Sequence, residues 1–353
     1  MNNILSHIDN LYLPPYSLNL MTTDFCTASC KNCCMQCSPK KHTRLSFEDM
    51  RKYIDSALES FPSIKLLVLT GGECFALKND LKKVVDYSSQ KKLISRVVTN
   101  GYWATSFKTA YLTLKDLRNA GLGELNLSTG DEHQVWVNYD NIILAAVSAL
   151  LLGMSVVINV ESSNTSNFSV INIFNDIRLR KYLDTPSKYS LKIIGGRWVE
   201  FETSKEKKIE QQRYYPSNRI NRCTNLFNSI TISPNHQMWA CCGLSVKHIP
   251  YLNIGNTKKF PLKFLHKYQL NDFLKIWIYT EGPMRILEFC KKHGNEDLDL
   301  SITNWHPCQA CNILFSDSRN IEIINKYYKE IYTNVVFKYL FLRESYVKQL
   351  NIL

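Results

Sequence analysis

The chain has 353 residues, 45% of them hydrophobic and 21% charged, with a formal net charge of +12. This is a composition that can bury a core, at a length suited to two domains or to one large barrel with an appendage, and it excludes a small disulfide scaffold. The positive charge favours anionic partners, although a Lys- and Asn-rich genome accounts for it equally well.

The elements follow in order. Ser17 to Thr23 reads as a first strand running into a cysteine-rich stretch. Ser46 and Asp49 form a capping-box pattern, and Phe47, Met50, Ile54, Ala57, Leu58 and Phe61 recur at helical spacing. Ile64–Thr70 reads as a strand stopped by Gly71-Gly72. Leu77–Gln90 is a helix, and Ile94–Thr99 a strand stopped by Asn100-Gly101. Thr105–Ala120 is a helix closed by Gly121. Glu124–Leu127 is a strand, followed by a polar loop from Ser128 to His133. Asn138–Leu152 is an apolar helix, Ser155–Val160 a strand ending at Glu161, Val170–Tyr182 a helix, and Leu191–Ile194 a strand.

Repeated strand-then-helix units with mostly apolar strands predict a parallel sheet buried on both faces, in a doubly wound sheet or a barrel. In both, function collects at the C-terminal ends of the strands. Beyond Gly195-Gly196 the pattern changes. Thr203 to Tyr215 is charged and reads as a linker. Ile230 to Cys241 reads as a hairpin around Ser233-Pro-Asn-His236. Cys308 and Cys311 fall in a polar loop, Asn304 to Asn312, and Ile321 to Leu350 reads as one or two amphipathic helices covering the barrel or a partner.

The twelve cysteines are unevenly spread. Cys26, Cys30, Cys33, Cys34 and Cys37 crowd together early; Cys223, Cys241, Cys242, Cys308 and Cys311 lie late; Cys74 and Cys290 stand alone. Met1 to Pro15 carries no signal-peptide pattern, and Ile142 to Leu152, interrupted by Ser148, is too short to span a bilayer. A cytoplasmic protein with no membrane partner is expected, and clustered thiols there read as metal ligands.

Cys26-x3-Cys30-x2-Cys33 after the first strand, with Gly71-Gly72-Glu73 after the second, resembles the radical S-adenosylmethionine enzymes. The alternative is a zinc site with a fourth thiol from Cys34 or Cys37, beside an unrelated tight turn. The resemblance implies a partial (β/α)6 TIM-type barrel. It also implies a [4Fe–4S] cluster on Cys26, Cys30 and Cys33 whose open iron takes S-adenosylmethionine. Gly71, Gly72 and Glu73 would then meet the methionine ammonium, Asn100 the adenine or ribose, and Ser128 and Asp131 the ribose hydroxyls or ammonium. Glu161 is a further candidate, and His133 could face substrate. Turn and helix-cap roles explain Asn100, Ser128 and Asp131 about as well. The family's frequent proline after Gly-Gly-Glu is here Cys74.

The late cysteines resemble the twitch or SPASM extension of the same family, with His236 in the place of the turn glycine. That resemblance implies one auxiliary [4Fe–4S] cluster on Cys223, Cys241, Cys308 and Cys311. Cys242 competes with Cys241, and a four-thiolate zinc site matches the ligand count equally. The implied division is a barrel at 1–202, a linker at 203–217, a cluster-bearing extension at 218–315 and a helical tail at 316–353.

The family context implies a ribosomally made peptide as substrate, crosslinked or epimerised, and a flavodoxin- or ferredoxin-like electron donor. A small-molecule or nucleotide substrate shares every motif. A zinc- or cluster-binding protein without activity must treat Gly71-Gly72-Glu73 as coincidence. No module typical of RNA readers is evident. Little chain precedes Ser17, so peptide recognition is expected to fall to the extension, the aromatic tail or a separate protein.

Overall fold

The computed structural model describes residue 5 and residues 11–162, 166–185, 190–196, 198–199, 222–300 and 306–350. The expected linker, 203–217, lies outside them.

Six strands alternate with helices: β1 (Ser17–Met21), α1 (Phe47–Ser60), β2 (Leu66–Thr70), α2 (Asn79–Gln90), β3 (Ile94–Thr99), α3 (Phe107–Asn119), β4 (Leu122–Gly130), the short α4 (Asp131–Gln134), α5 (Tyr139–Leu151), β5 (Ser155–Glu161), α6 (Val170–Phe174), α7 (Ile177–Leu183) and β6 (Leu191–Gly196). The strands are parallel and stand in chain order from β1 to β6. On the other side of β1 the sheet continues. β7 (Ser229–Ile232) pairs with β1 in parallel, and β8 (Gln237–Trp239) and β9 (Asn253–Asn256) follow antiparallel. The α/β barrel architecture expected from the sequence is present, and the late hairpin is part of the same sheet.

Burial alternates along the strands, contrary to the expectation of two covered faces. Val156, Ile158 and Val160 of β5 are buried, while Asn159 and Glu161 line a cavity. Leu67 and Leu69 of β2 are likewise buried, while Leu66, Val68 and Thr70 line the same cavity. The outer face packs on amphipathic helices such as α1, whose Ser46–Asp49 capping box is formed and whose Met50, Tyr53, Ile54 and Ala57 are buried. The inner face mixes polar side chains such as Asn126 and Asn159 with apolar ones such as Leu66 and Val68, around an open space.

A second core is helical: α8 (Leu262–Leu270), α9 (Phe273–Glu281), α10 (Pro283–Lys292), α11 (Pro307–Ser316), α12 (Ser318–Tyr327) and α13 (Tyr332–Leu350). The expected tail helices are α12 and α13. Tyr339 of α13 is buried, stacks edge-on against Tyr279 of α9, and donates its hydroxyl proton to Leu11 O at 2.7 Å.

Three local expectations need correction. Cys308 and Cys311 stand on α11, not in a polar loop: Pro307 opens the helix, and the His306 side chain accepts from the Cys308 N–H at 3.1 Å. Val170–Tyr182 is two helices, because the Asp176 carboxylate accepts from the Arg178 N–H at 2.9 Å and starts a second one. β4 runs on to Gly130, so Ser128 lies in a strand.

The two cores meet at His266. Its Nε2–H donates to Leu13 O at 2.9 Å, its Nδ1 accepts from Gln269 at 3.1 Å, and its ring packs edge-on against Phe61. Burial pushes its pKa down to about 4 from 6.5. A depressed histidine pKa stabilises the fold fully above the unfolded value and loses that contribution as pH falls from 6.5 towards 4. Thermal melts are expected to show this acid slope in the wild type and to lose about one proton's worth of it in His266→Asn.

Candidate active site

The end of β1 and the end of β2 lie against each other. The Gly72 N–H donates to Thr23 O at 2.7 Å, and the Glu73 N–H donates to Phe25 O at 2.8 Å. A Cβ on Gly72 would stand 2.0 Å from Phe25 O. One on Gly71, at φ +139°, would stand 2.6 Å from Thr23 O. The two glycines therefore let one backbone press on another, and so fix the start of the cysteine loop.

Glu73 is fully buried and does not line the cavity. Its carboxylate accepts from the Phe75 N–H at 3.0 Å, the Thr99 hydroxyl at 2.8 Å and the Asn100 N–H at 2.8 Å. Burial raises its pKa to about 7, against the lowering effect of these donors. It ties the exits of β2 and β3 together. Asn100, so held, donates from Nδ2 to Thr27 Oγ1 at 3.1 Å and reaches Cys26 Sγ at 3.7 Å.

The three early thiols line one wall of the cavity. Cys26 Sγ accepts from the Ala28 N–H at 3.4 Å, and Cys33 Sγ from the Cys37 N–H at 3.4 Å. Cys30 Sγ lies 3.8 Å from Glu132 O. The Cys37 side chain lowers the Cys33 pKa to about 6, while burial raises Cys26 to about 11 and Cys30 to about 12. Three thiols on one loop, with amide donors on two of the sulfurs, suit thiolates bound to an iron–sulfur cluster.

Several residues that hold this loop carry no motif in the sequence. Glu132, at the start of α4, accepts from the Asn32 N–H at 2.9 Å and the Asn32 side-chain amide at 2.5 Å, across a hundred residues. Lys247 donates to Met35 O at 2.6 Å and lies 3.6 Å from Asp24, and His248 Nε2–H donates to Cys34 O at 2.9 Å. The late part of the chain thus clamps the early cysteine loop. The one available signal for Glu132 was its place just past a strand end.

The cavity measures about 1240 Å³, above the roughly 300–1,000 Å³ of an ordinary ligand pocket. Gly71, Gly72, Asn100 and Ser128 line it, joined by His133 and Glu161. Asp131 does not. Its carboxylate accepts from the Asn167 N–H at 2.7 Å and the Phe168 N–H at 3.0 Å. His133 Nδ1 and Glu161 Oε2 stand 3.5 Å apart, and the imidazole stacks on Trp198 at 5.3 Å. Burial lowers the His133 pKa, and burial with the nearby Cys33 and Glu132 raises that of Glu161. Asn126 Oδ1, Asn228 Oδ1 and Tyr346 Oη are buried in this wall without a hydrogen-bond partner among the described residues. A polar ligand would satisfy them.

Cys223, Cys241, Cys308 and Cys311 surround a separate recess of about 20 Å³, walled by Leu226, Leu252, Ile278 and Pro283. A Cβ on Gly243 would meet Cys308 Sγ at 3.1 Å and Cys241 Sγ at 3.3 Å, and the Leu244 N–H donates to Cys308 Sγ at 3.3 Å. Cys242 lines the large cavity instead. Among the described residues no three His, Cys, Asp or Glu groups stand close enough to hold a single metal ion. By donor number the four thiols suit either a cluster or zinc. His236 adopts a left-handed conformation that favours glycine, at φ +59°, and Tyr53 Oη hydrogen-bonds its Nδ1 at 2.7 Å.

No protein-family model matches the chain. YydG of Bacillus subtilis, assigned to peptide biosynthesis, is 26% identical over 132 residues, 37% of this chain and 40% of that protein. The GTP 3',8-cyclase of Campylobacter jejuni is 29% identical over 188 residues, 50% of this chain and 53% of that enzyme. The chain thus spans about half or less of the length of these relatives. The solved structure of anSMEcpe with bound AdoMet and a peptide superposes with a TM-score of 0.55 over 93% of this chain and 100% of that one. At 11% identity, that is a likeness of fold. Among the described residues no helix is long and apolar enough to cross a membrane. The cysteine and Gly-Gly-Glu motifs thus stand at successive strand ends of a fold like that of this AdoMet-bound protein, in a chain with partial similarity to YydG and to the GTP 3',8-cyclase.

Proposed function

We propose that the chain modifies a residue of a ribosomally made peptide, by crosslinking or epimerisation. The observation that carries this reading is the large cavity, with Cys26, Cys30 and Cys33 in its wall together with Cys242, His306 and Pro307 from the late cysteine region. Its size leaves room for a substrate segment beside a cofactor. Among the described lining residues the one arginine, Arg96, is neutralised by Glu124 at 2.8 Å, and no lysine is present. Such a wall suits amides better than a triphosphate. The peptide-linked relative and the peptide-bound neighbour in fold support the same substrate class.

Cys26, Cys30 and Cys33 would hold a [4Fe–4S] cluster, with S-adenosylmethionine against Asn100, Ser128 and the Gly71-Gly72 turn. Together these cofactors would supply reductive one-electron chemistry able to take a hydrogen atom from a substrate. Glu73 and Glu132 act on the loop: the first orients Asn100, the second fixes Asn32 between the thiols. Cys223, Cys241, Cys308 and Cys311 would hold an auxiliary [4Fe–4S] cluster, in reach of the electron released when a bond forms. A flavodoxin- or ferredoxin-like protein would supply the reducing electron.

Anaerobic reconstitution tests this reading through iron, sulfide and 5′-deoxyadenosine. Cys30→Ala is expected to abolish deoxyadenosine formation. Cys308→Ala is expected to retain it and lose the modified product. Stoichiometric zinc with no deoxyadenosine would refute the radical chemistry, and unchanged cleavage in Cys30→Ala would refute the site.

A further inference from the structure

The outer end of the sheet carries a surface that the cavity chemistry does not use. β9 is the last strand of the sheet and pairs with β8 alone among the described residues. The helix that follows it, α8, buries Leu262, Leu265, His266, Gln269 and Leu270 against the protein. Three rings spaced four residues apart nevertheless point outward. Phe260, Phe264 and Tyr268 are 46%, 54% and 45% exposed. They form a ladder, with centroids 5.6 Å and 6.5 Å apart and ring planes within 22° and 18° of parallel.

The segment that carries this ladder is basic. Residues 253–270 include no aspartate or glutamate, while Lys258, Lys259, Lys263 and Lys267 are all exposed. Lys258 lies near the Asp49 carboxylate of α1 and helps lower its pKa, while Lys259, Lys263 and Lys267 take part in none of the lysine ion pairs among the described residues. Exposed cations framing exposed rings beside a sheet edge match an extended peptide that carries acidic and aliphatic side chains. The three exposed rings offer apolar surface to aliphatic side chains.

We infer that the α8 ladder and the β9 edge form a docking surface for an acidic, aliphatic segment of the peptide substrate, held outside the cavity. The inference rests on the peptide-modifying reading. Its occupant contributes carboxylates to Lys259, Lys263 and Lys267 and aliphatic side chains to the exposed rings. The segment to be modified is then free to enter the cavity, and tethering raises its local concentration there.

The test is fluorescence anisotropy with a short labelled peptide of alternating glutamate and leucine, on the intact chain without added cofactor. The wild type is expected to bind it. The double variant Lys263→Glu with Lys267→Glu is expected to bind about tenfold more weakly. Phe264→Ala is expected to weaken binding several-fold even at high salt, where charge is screened. These are surface changes that leave folding intact, as thermal melts would verify. A lysine–leucine peptide that binds as well, an affinity unchanged in both variants, or stronger binding to oligo-dT or to anionic phosphatidylglycerol vesicles would each overturn the proposal. Deoxyadenosine formation is expected to persist in both variants. Its loss from the wild type would instead count against the radical chemistry, so the two failures are distinguishable.

Discussion

Gly72→Ala is expected to abolish deoxyadenosine formation and to lower the melting temperature. The added Cβ would stand 2.0 Å from Phe25 O and 2.5 Å from Phe25 C, atoms of backbone with no side-chain freedom to yield. One of two things must give: the hydrogen bond from the Glu73 N–H to Phe25 O, or the path of the chain into Cys26. Overpacking of this kind costs about 3 kcal/mol or more when the obstacle is rigid. Displacement of the cysteine loop by about 1 Å is enough to lose orders of magnitude in rate. Gly123→Ala is the matched control. Its Cβ would meet Ile94 Cγ2 and Ser95 O at 3.4 Å, an ordinary contact, and activity and stability are expected to stay near wild type. Full activity in Gly72→Ala would show that the 71–73 turn does not position the thiols.

Cys241→Ser and Cys242→Ser are expected to separate sharply, although the two residues are adjacent. Cys241 is buried in the recess with Cys223, Cys308 and Cys311, and Cys242 faces the cavity. On the proposed assignment, Cys241→Ser loses about half of the reconstituted iron. Cys242→Ser keeps it. Iron and sulfide analysis on the anaerobically reconstituted protein reads this directly. The reverse pattern would exchange the two ligands. Loss of zinc with iron unchanged would make the late site a closed zinc centre.

The early site was legible because its signals are local. Three thiols within eight residues, a Gly-Gly pair at a strand end and a capping box each depend on neighbours in sequence. What each group does was less legible. Gly71 and Gly72 announce a close backbone approach, but which backbone they approach depends on how β1 and β2 pair, and it proved to be Thr23–Phe25. Glu73 reads as a ligand-facing carboxylate, yet three donors hold it inside the protein. Asp131 reads as a cofactor contact, yet it caps the backbone at Asn167 and Phe168. In both cases a short carboxylate found unpaired N–H groups closer than the cavity, a competition that only the folded chain resolves.

The sequence by itself determined the order of strands and helices, the α/β class and the clustering of the early thiols. Periodicity, caps and clustered cysteines are properties of neighbouring residues, and they survive without knowledge of long-range pairing. Tertiary structure decided the rest. It placed β7 beside β1, so that the late hairpin extends the barrel sheet. It drew Cys223, Cys241, Cys308 and Cys311 from a loop, a hairpin and a helix into one recess, and turned Cys242 away. It set Glu132, Lys247 and His248 on the cysteine loop across long spans of chain. Contacts of this kind depend on which surfaces the folded elements bury against each other, and no local pattern encodes them.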